Sequence, residues 1–207
     1  QDYYNTGHNT SSGVSGYTWK AQTFTPSVSY KITSVKLLLW KDGSPGTVTV
    51  SIRATDGSGY PTGGDLTVGT TDGDTLPGAS PGEWREIIFD SPYDLIVGVL
   101  YAIVVRAQKS QAMWRMEYTF ATYSGGCYYK STDSGSSWPA AQIDYDHMFE
   151  TYGNTDTTSY QLRQHYDDSD TYFMIYTSGV EHQSGQSFTP AITHTILKVA
   201  LKLFRDG

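Results

Sequence analysis

Aromatic side chains near predicted turns are the residues of this chain best suited to binding a ligand. The chain of 207 residues contains 17 Tyr and five Trp, and sugar rings bind by stacking their C–H faces on such rings. Scattered surface tyrosines are the alternative interpretation, and the sequence leaves both open. Five aromatic residues in or beside predicted loops could form a sugar platform: Trp19, Tyr60, Tyr123, Tyr128 and Tyr129.

Acidic residues form three clusters, and carboxylate oxygens are the ligands that Ca²⁺ takes in proteins. The clusters are Asp72 with Asp74, Asp144 with Asp146 and Glu150, and Asp167 with Asp168 and Asp170. Because alternate residues of a strand share a face, Asp144 and Asp146 are the first candidates for one structural Ca²⁺. Solvated acidic turns are the other interpretation, and both stay open.

Two short motifs match patterns known from hydrolases. Residues 78–82 match G-x-S-x-G, the pattern of a hydrolase nucleophile, but the residue after the nucleophile must donate its backbone N–H, and Pro81 has none. Residues 131–138 match the Asp-box pattern S-x-D-x-G-x-[ST]-W of sialidases and other β-propellers. A single copy predicts a hairpin turn and not a propeller, which needs four or more blades.

The other titratable residues form no catalytic pattern. The five histidines lack metal-binding spacing, and no nucleophile, base and orienting group occur together. Glu83 and Glu117 have the residue types of a glycosidase pair, but no pattern favours them. We therefore predict that the chain is not an enzyme.

Composition and charge exclude several classes of partner. The net charge of −7 predicts repulsion of nucleic acid, and no apolar run approaches the roughly 20 residues of a membrane span.

Cys127 is the lone cysteine and cannot form an internal disulfide. Asn9 begins a glycosylation sequon. We expect an extracellular or cell-surface protein.

An internal repeat predicts the domain organisation. Gln-Thr-Phe-Thr-Pro at 22–26 recurs as Gln-Ser-Phe-Thr-Pro at 186–190, an offset of 164, and ten of the 22 residue pairs from that point are identical. A repeat of this kind indicates two copies of one module. We predict a complete module over residues 1–153, a linker over 154–164, and the N-terminal part of a second, incomplete copy over 165–207.

Alternation of apolar and polar residues predicts β-strands throughout the first module. Val35, Leu37 and Leu39 alternate before a Gly-Ser-Pro-Gly turn at 43–46, and Val48 and Val50 alternate after it, which predicts a hairpin. About eight or nine such strands follow one another, with no helical pattern. The predicted fold class is an all-β antiparallel β-sandwich of jelly-roll type, followed by the first strands of a second copy.

Four segments of the first module resemble a known group of domains. They are Ala-Gln-Thr-Phe-Thr-Pro at 21–26, Ile-Thr-Ser-Val at 32–35, Gly-Tyr-Pro-Thr-Gly at 59–63 and Gly-Val-Leu-Tyr-Ala-Ile-Val-Val at 98–105. This pattern resembles the tandem jelly-roll modules of secreted prokaryotic and phage proteins, of the choice-of-anchor and carbohydrate-binding-module kind. The resemblance implies an adhesive, glycan-binding or spacer role, and it assigns no binding residue.

Two functional hypotheses follow. In the first, the chain is an extracellular structural or adhesive repeat module whose incomplete second copy pairs with neighbouring copies by β-strand addition. The second copy's apolar residues would then be strand donors: Phe188, Ile196, Val199, Leu201, Leu203 and Phe204. In the alternative, the chain is a glycan-binding module of a larger secreted enzyme or adhesin, with a polysaccharide as its partner.

Overall fold

The computed structural model divides the chain into two compact units, Gln1–Thr155 and Asp156–Gly207. We call them unit 1 and unit 2. The structure describes residues 2–141 and 143–155 in unit 1, and the backbone of residues 161–167, 170–176 and 183–187 in unit 2.

The regular secondary structure in the described part of unit 1 consists of strands and one short 3-10 turn, Gly73–Thr75. No helix in the described residues is long and apolar enough to cross a membrane. The strands are β1 (Tyr3–Tyr4), β2 (Thr10–Val14), β3 (Trp19–Phe24), β4 (Tyr30–Asp42), β5 (Thr47–Thr55), β6 (Pro61–Asp72), β7 (Glu83–Leu95), β8 (Tyr101–Ala107), β9 (Gln111–Tyr118), β10 (Tyr128–Ser131), β11 (Tyr145–His147) and β12 (Phe149–Asn154).

Two antiparallel sheets pack against each other, which confirms the predicted all-β sandwich. The five-stranded sheet has the order β10-β3-β8-β5-β6. The seven-stranded sheet has the path β1-β12-β4-β9-β11, with β2 paired to β9 and β7 paired to β4. The jelly-roll connectivity of these strands stays a prediction.

The core lies between the sheets because each sheet turns its alternating apolar side chains inward. From the seven-stranded sheet come Leu37 and Leu39, and from the five-stranded sheet come Val50, Ile52 and Ile103, all of them fully buried. Burying side chains of this size stabilises the fold by about 1.5–3 kcal/mol each. The alternation seen in the sequence therefore marks the residues that join the two sheets.

The predicted hairpin between β4 and β5 is wrong. β4 pairs with β7, β9 and β12 in one sheet, whereas β5 pairs with β6 and β8 in the other. The turn at 43–46 carries the chain across the sandwich. Apolar residues of consecutive strands face one core in either arrangement, so alternation alone does not distinguish a hairpin from a crossing between sheets.

One side of the sandwich is closed by a direct approach of β6 to β7, the edge strands of the two sheets. The Thr67 hydroxyl donates to the backbone oxygen of Ser91 at 2.6 Å. Gly69 is required at this point, because a Cβ there would stand 2.3 Å from the backbone oxygen of Ile88.

The chain enters and leaves unit 1 at the same end. Asp2 accepts a hydrogen bond from the Ser27 backbone N–H at 3.0 Å, and Asn154, in the last strand, pairs with Lys31. Ser27 and Lys31 flank the start of β4. At the opposite end the Gly16 N–H donates to the Ala107 oxygen at 2.8 Å. β8 separates the two ends by about 20 Å, at about 3.3 Å per strand residue.

Unit 2 contains an antiparallel sheet of three described strands in the order β13-β14-β15. Their bounds are Gln161–Asp167, Asp170–Tyr176 and Gln183–Ser187. β13 begins inside the segment predicted as a linker. At the sequence offset of 164, β15 corresponds to residues 19–23, which lie within β3.

Candidate functional site

The structure places three of the five aromatic residues predicted as a sugar platform, Trp19, Tyr60 and Tyr129, in one cluster, and it places Tyr123 and Tyr128 outside that cluster. Trp19 lies on the outer face of the five-stranded sheet and is partly exposed. Tyr128 points between the sheets and is 5% exposed. Tyr129 is also buried, and it packs edge-on against Tyr60 with ring centroids 5.5 Å apart. Tyr123 packs against the core residue Phe149. The five therefore do not form one platform, and Trp19 remains as the candidate for ligand contact.

Trp19 lines a groove of about 520 Å³ on this outer face, which we call the Trp19 groove. Tyr17, in the tight turn between β2 and β3, stands beside it with 77% of its surface exposed. Such a volume falls in the range of small-ligand sites. The lining residues are Gly16, Tyr17, Trp19, Thr49, Arg106, Ala107, Gln108 and Ser134.

The pairing of strands brings arginines to Trp19. Because Lys20 of β3 pairs with Val105 of β8, Trp19 lies opposite Arg106 on the outer face. The guanidinium carbon of Arg106 lies 5.0 Å from the centroid of the Trp19 ring, and that of Arg53 lies 5.4 Å from it. Cations over an indole ring are attracted by its π electrons. The two arginines therefore hold the orientation of the indole.

Asp65 of β6 joins the two arginines. Its Oδ1 accepts from Arg53 Nε at 2.8 Å, and its Oδ2 accepts from Arg106 Nη2 at 2.5 Å. Partial burial by itself would raise the pKa of Asp65, but the hydrogen bonds from Arg106 and Arg53 outweigh it and lower the pKa to about 2. The carboxylate is therefore ionised at neutral pH.

The Asp-box segment forms a turn that supports Trp19, but β10 before it pairs with β3 and not with a following strand, so the described residues do not form the predicted hairpin. The Asp133 carboxylate accepts from the Ser131 hydroxyl at 2.6 Å and from the Ser137 N–H at 2.9 Å. Gly135 has a φ of +79°, and a Cβ there would stand 2.7 Å from the Trp19 ring. The turn thus packs its backbone against the indole, and its Ser134 lines the groove.

A second group of polar residues is buried between the sheets at the end of the core. Lys20 Nζ donates to the Tyr128 hydroxyl at 2.9 Å, and Gln22 Nε2 donates to Asp146 Oδ1 at 2.8 Å. The His147 ring stacks on Trp114 at 3.9 Å, and its Nε2 has no partner among the described residues. We call Lys20, Gln22, Tyr128, Asp146 and His147 the buried polar cluster.

Burial controls the protonation of this cluster. It lowers the pKa of Lys20 to about 8, with a smaller effect from Lys130. It raises the pKa of Asp146 to about 7, against the hydrogen bonds that this carboxyl accepts. It also lowers the pKa of His147 well below its usual value. Because each member is 5% exposed or less, the cluster offers no surface to a ligand.

The predicted metal ligands lie in different surroundings. Asp146 is buried, with its carboxylate bound to Gln22 and to the Tyr123 N–H, whereas Asp144 is exposed. In the described ranges, no three His, Cys, Asp or Glu side chains stand close enough to hold a metal ion. The Ca²⁺ site stays a prediction with these two ligands.

Ser80, the serine of the G-x-S-x-G pattern, lies in the loop before β7. Its hydroxyl accepts from Arg115 Nη1 at 3.0 Å. Arg115 also donates to the Ser11 hydroxyl at 3.2 Å. The structure therefore shows Ser80 bound to an arginine, not to a general base.

Two further sequence candidates, Asn9 and the Glu83–Glu117 pair, already make side-chain bonds, although the buried Oε2 of Glu117 has no hydrogen-bond partner among the described residues. Asn9 Nδ2 donates both to Glu117 Oε1 at 2.8 Å and to the Tyr118 oxygen at 3.0 Å. A glycosylated Nδ2 keeps one hydrogen, so modification of Asn9 must break one of these bonds. Glu83 forms an ion pair with Arg85. The strand-donor residues Phe188, Ile196, Val199, Leu201, Leu203 and Phe204 lie outside the described residues.

Comparison with protein-family models and with curated protein sequences gives no match to this chain.

Of the residues around the groove, Trp19 was predicted from the sequence, and its neighbours were not. Tyr17, Arg53, Asp65 and Arg106 come from a turn and three strands that are distant in sequence. One signal was present: Thr49 and Arg53 alternate with the apolar Val50 and Ile52, so they had to face outward. Which outward residues meet across the sheet depends on strand order, which the alternation does not give.

Proposed function

We propose that unit 1 is an extracellular adhesive module that binds a glycan in the Trp19 groove. The observation that carries this proposal is the pairing of an exposed aromatic ring, Tyr17, with a polar groove walled by Trp19 and Arg106. Binding, rather than catalysis, is the activity that such a site supports.

The aromatic residues supply the apolar part of the site. The Tyr17 ring is 77% exposed, although large aromatic side chains are more often covered. Stacking a sugar on this ring removes the apolar faces of both from water, at about 25 cal/mol for each Å² buried. Trp19 is fixed by Arg53 and Arg106, so binding does not require the wall of the groove to become ordered.

The polar residues supply hydrogen bonds suited to sugar hydroxyls. Thr49, Gln108 and Ser134 line the groove together with Arg106. Sugar hydroxyls both donate and accept, and these hydroxyl, amide and guanidinium groups include both donors and acceptors. Specific ligand sites combine apolar contact area with a few such polar groups.

A glycan array followed by isothermal titration calorimetry of the full chain tests this proposal. We expect at least one oligosaccharide class to bind, and Tyr17→Ala to weaken that binding by about tenfold, equivalent to about 1.4 kcal/mol. Tyr3→Ala is the matched control, because Tyr3 is 62% exposed on the other sheet. Absence of binding across the array, or equal losses in the two variants, contradicts the proposal.

A second exposed aromatic pair provides an internal check on the location of the site. Tyr118 and Tyr145 stack with ring centroids 4.7 Å apart, and Tyr118 is 48% exposed. Tyr118→Ala should leave glycan affinity unchanged. A loss of affinity in this variant but not in Tyr17→Ala would place the glycan on the seven-stranded sheet.

Tandem assembly is a second candidate, and it is compatible with glycan binding. Its support is the sequence repeat, whose offset of 164 aligns β15 with residues of β3. We propose that the second copy pairs with neighbouring copies through the strand donors. Size-exclusion chromatography of the full chain with Leu201→Asp tests this: concentration-dependent oligomers should disappear in the variant, and a monomer at every concentration contradicts strand addition.

A further inference from the structure

We infer that the Trp19 groove selects acidic glycans and that Arg106 binds the carboxylate of a uronic acid or a similar acidic sugar. This inference rests on the proposed function, because it names the ligand class of the same site. Two observations support it. Two guanidinium groups, of Arg53 and Arg106, share one carboxylate, and both arginines keep N–H groups that do not bind this carboxylate.

The outer face around Trp19 holds two guanidinium groups for one carboxylate. Arg53 and Arg106 both pair with Asp65, and their side chains are only 12% and 20% exposed. Among the described residues one positive charge therefore has no partner carboxylate at this partly buried site, although the chain carries a net charge of −7. An acidic ligand would complete this arrangement, and weak solvent screening at a partly buried site strengthens the attraction.

The arginines keep N–H groups for such a ligand. Arg106 uses Nη1 and Nη2 to bind Asp65, so its Nε donates to no described residue. Arg53 binds Asp65 through Nε, and its two Nη groups donate to no other residue in the described part of unit 1. The edge of a guanidinium formed by Nε and one Nη fits a carboxylate with two parallel hydrogen bonds. Of the two arginines, Arg106 lines the groove.

The other carboxylate on this side of the groove is already bonded. Asp133 belongs to the turn that supplies Ser134, and its oxygens accept from Ser131 and Ser137. Those hydrogen bonds also lower the pKa of Asp133 to about 2. Asp133 therefore stays bound within its own turn, and in the part of the chain that the structure describes Asp65 is the carboxylate that pairs with Arg53 and Arg106.

Asp65 acts as a positioning residue in this arrangement. Because it holds one edge of each guanidinium, the arginines are ordered before a ligand arrives, and binding loses little side-chain entropy. A ligand carboxylate then approaches the remaining edge of Arg106 while its sugar ring stacks on Tyr17. Neutral sugars of the same size would form the stacking contact without the charge-assisted hydrogen bonds.

Paired probes that differ in charge test the inference. Oligosaccharides of galacturonic, glucuronic and mannuronic acid are each titrated into the full chain beside their methyl esters, which keep the sugar rings, lose the charge and add one methyl group at each carboxyl. We expect the acidic form of at least one pair to bind about 10- to 100-fold more tightly. We also expect this preference to shrink as NaCl rises from 50 to 500 mM.

Two arginine variants assign the preference to a residue. Arg106→Gln should bind the acidic and esterified forms about equally. Arg85→Gln is the control, because Arg85 is also 20% exposed and ion-paired but lies on the other sheet, and it should keep the preference. Comparison of acid with ester in the unmodified chain needs no variant, so the test stands even if Arg106→Gln fails to fold.

The outcomes separate this inference from the proposed function. Equal binding of acids and esters overturns the inference and leaves glycan binding in place. Binding of neither form, nor of any array glycan, overturns both. A preference for acids that survives in folded Arg106→Gln overturns the role of Arg106.

Discussion

The two faces of the five-stranded sheet have opposite properties although they are built from the same strands. On β8, Val105 is fully buried in the core, and the next residue, Arg106, lines the groove outside. On β5, Val50 faces the core while Thr49 lines the groove. Because successive residues of a strand point to opposite faces, the stability of the core and the proposed binding depend on different side chains. Substitutions on the two faces should therefore have separable effects.

The largest loss of stability is expected from a substitution on the inner face of the sheet. Ile103→Ala removes a fully buried side chain from the core and should lower the free energy of unfolding by about 2–5 kcal/mol. All five Trp residues lie in unit 1, so Trp fluorescence during urea unfolding reports on this unit alone. Glycan affinity of the remaining folded protein should not change. A loss below about 1 kcal/mol would contradict the assignment of this face to the core.

The buried polar cluster makes one end of the inner face sensitive to pH. The folded pKa of Asp146 is raised to about 7, so its contribution to stability is full below about pH 4 and is lost as pH rises to 7. Asp146→Asn removes this dependence. We therefore expect the stability of the unmodified chain relative to the variant to fall by about 2 kcal/mol between pH 4 and 7.5.

The comparison with Asp146→Asn is needed because neighbouring groups titrate too. His147, whose pKa is lowered by burial, contributes stability that increases with pH in part of the same range. Lys20, with a pKa of about 8, acts mainly above that range. Urea unfolding of both proteins at each pH isolates the contribution of the Asp146 carboxyl group to stability. If the stability of both proteins changed with pH in the same way, the result would contradict the raised pKa of Asp146.

The outer-face ion pairs should matter less for stability. Asp65→Asn removes the partner of Arg53 and Arg106 and should cost about 1 kcal/mol at pH 7, since the pairs are partly exposed. The folded pKa of Asp65 is about 2, so this stabilisation is present above about pH 4 and is lost as pH falls towards 2. Urea midpoints at pH 7 and pH 2.5 test this: the cost should be clearly smaller at pH 2.5, and an equal cost at the two pH values contradicts it.

The smallest effect on stability is expected at the exposed ring. Tyr17→Ala should change the free energy of unfolding by less than about 0.5 kcal/mol, because the ring makes little contact with the rest of the protein. The same variant is expected to lose glycan affinity. Thermal unfolding beside calorimetry shows whether the two properties separate, and a large loss of stability would make Tyr17 part of the fold instead of the site.

The inner face could be predicted from the sequence, and the outer face could not. Alternation marked Leu37, Leu39, Val48 and Val50 as core residues because burial has a period of two along a strand. It did not show that β4 and β5 lie in different sheets, since that depends on which strands pair.

The candidate site was predicted only in part for the same reason. Tyr128 and Tyr129 are adjacent on a strand, so they face opposite ways and could not both join one platform. The groove joins Tyr17, Trp19 and Arg106 across a turn and two paired strands. No local sequence pattern predicts that these residues lie together, because strand order is set by the packing of the whole core.

The NMR signals of the indole N–H groups of the five Trp residues provide the most direct test that a glycan binds in the Trp19 groove. The Trp19 indole donates to the Gly16 oxygen at 3.2 Å, within the lining of the groove, whereas Trp114 donates to Met148 in the core. In a ¹⁵N-labelled chain titrated with a bound oligosaccharide, we predict that the Trp19 signal moves while the Trp114 signal stays in place. Movement of another Trp signal with Trp19 unchanged would contradict the account.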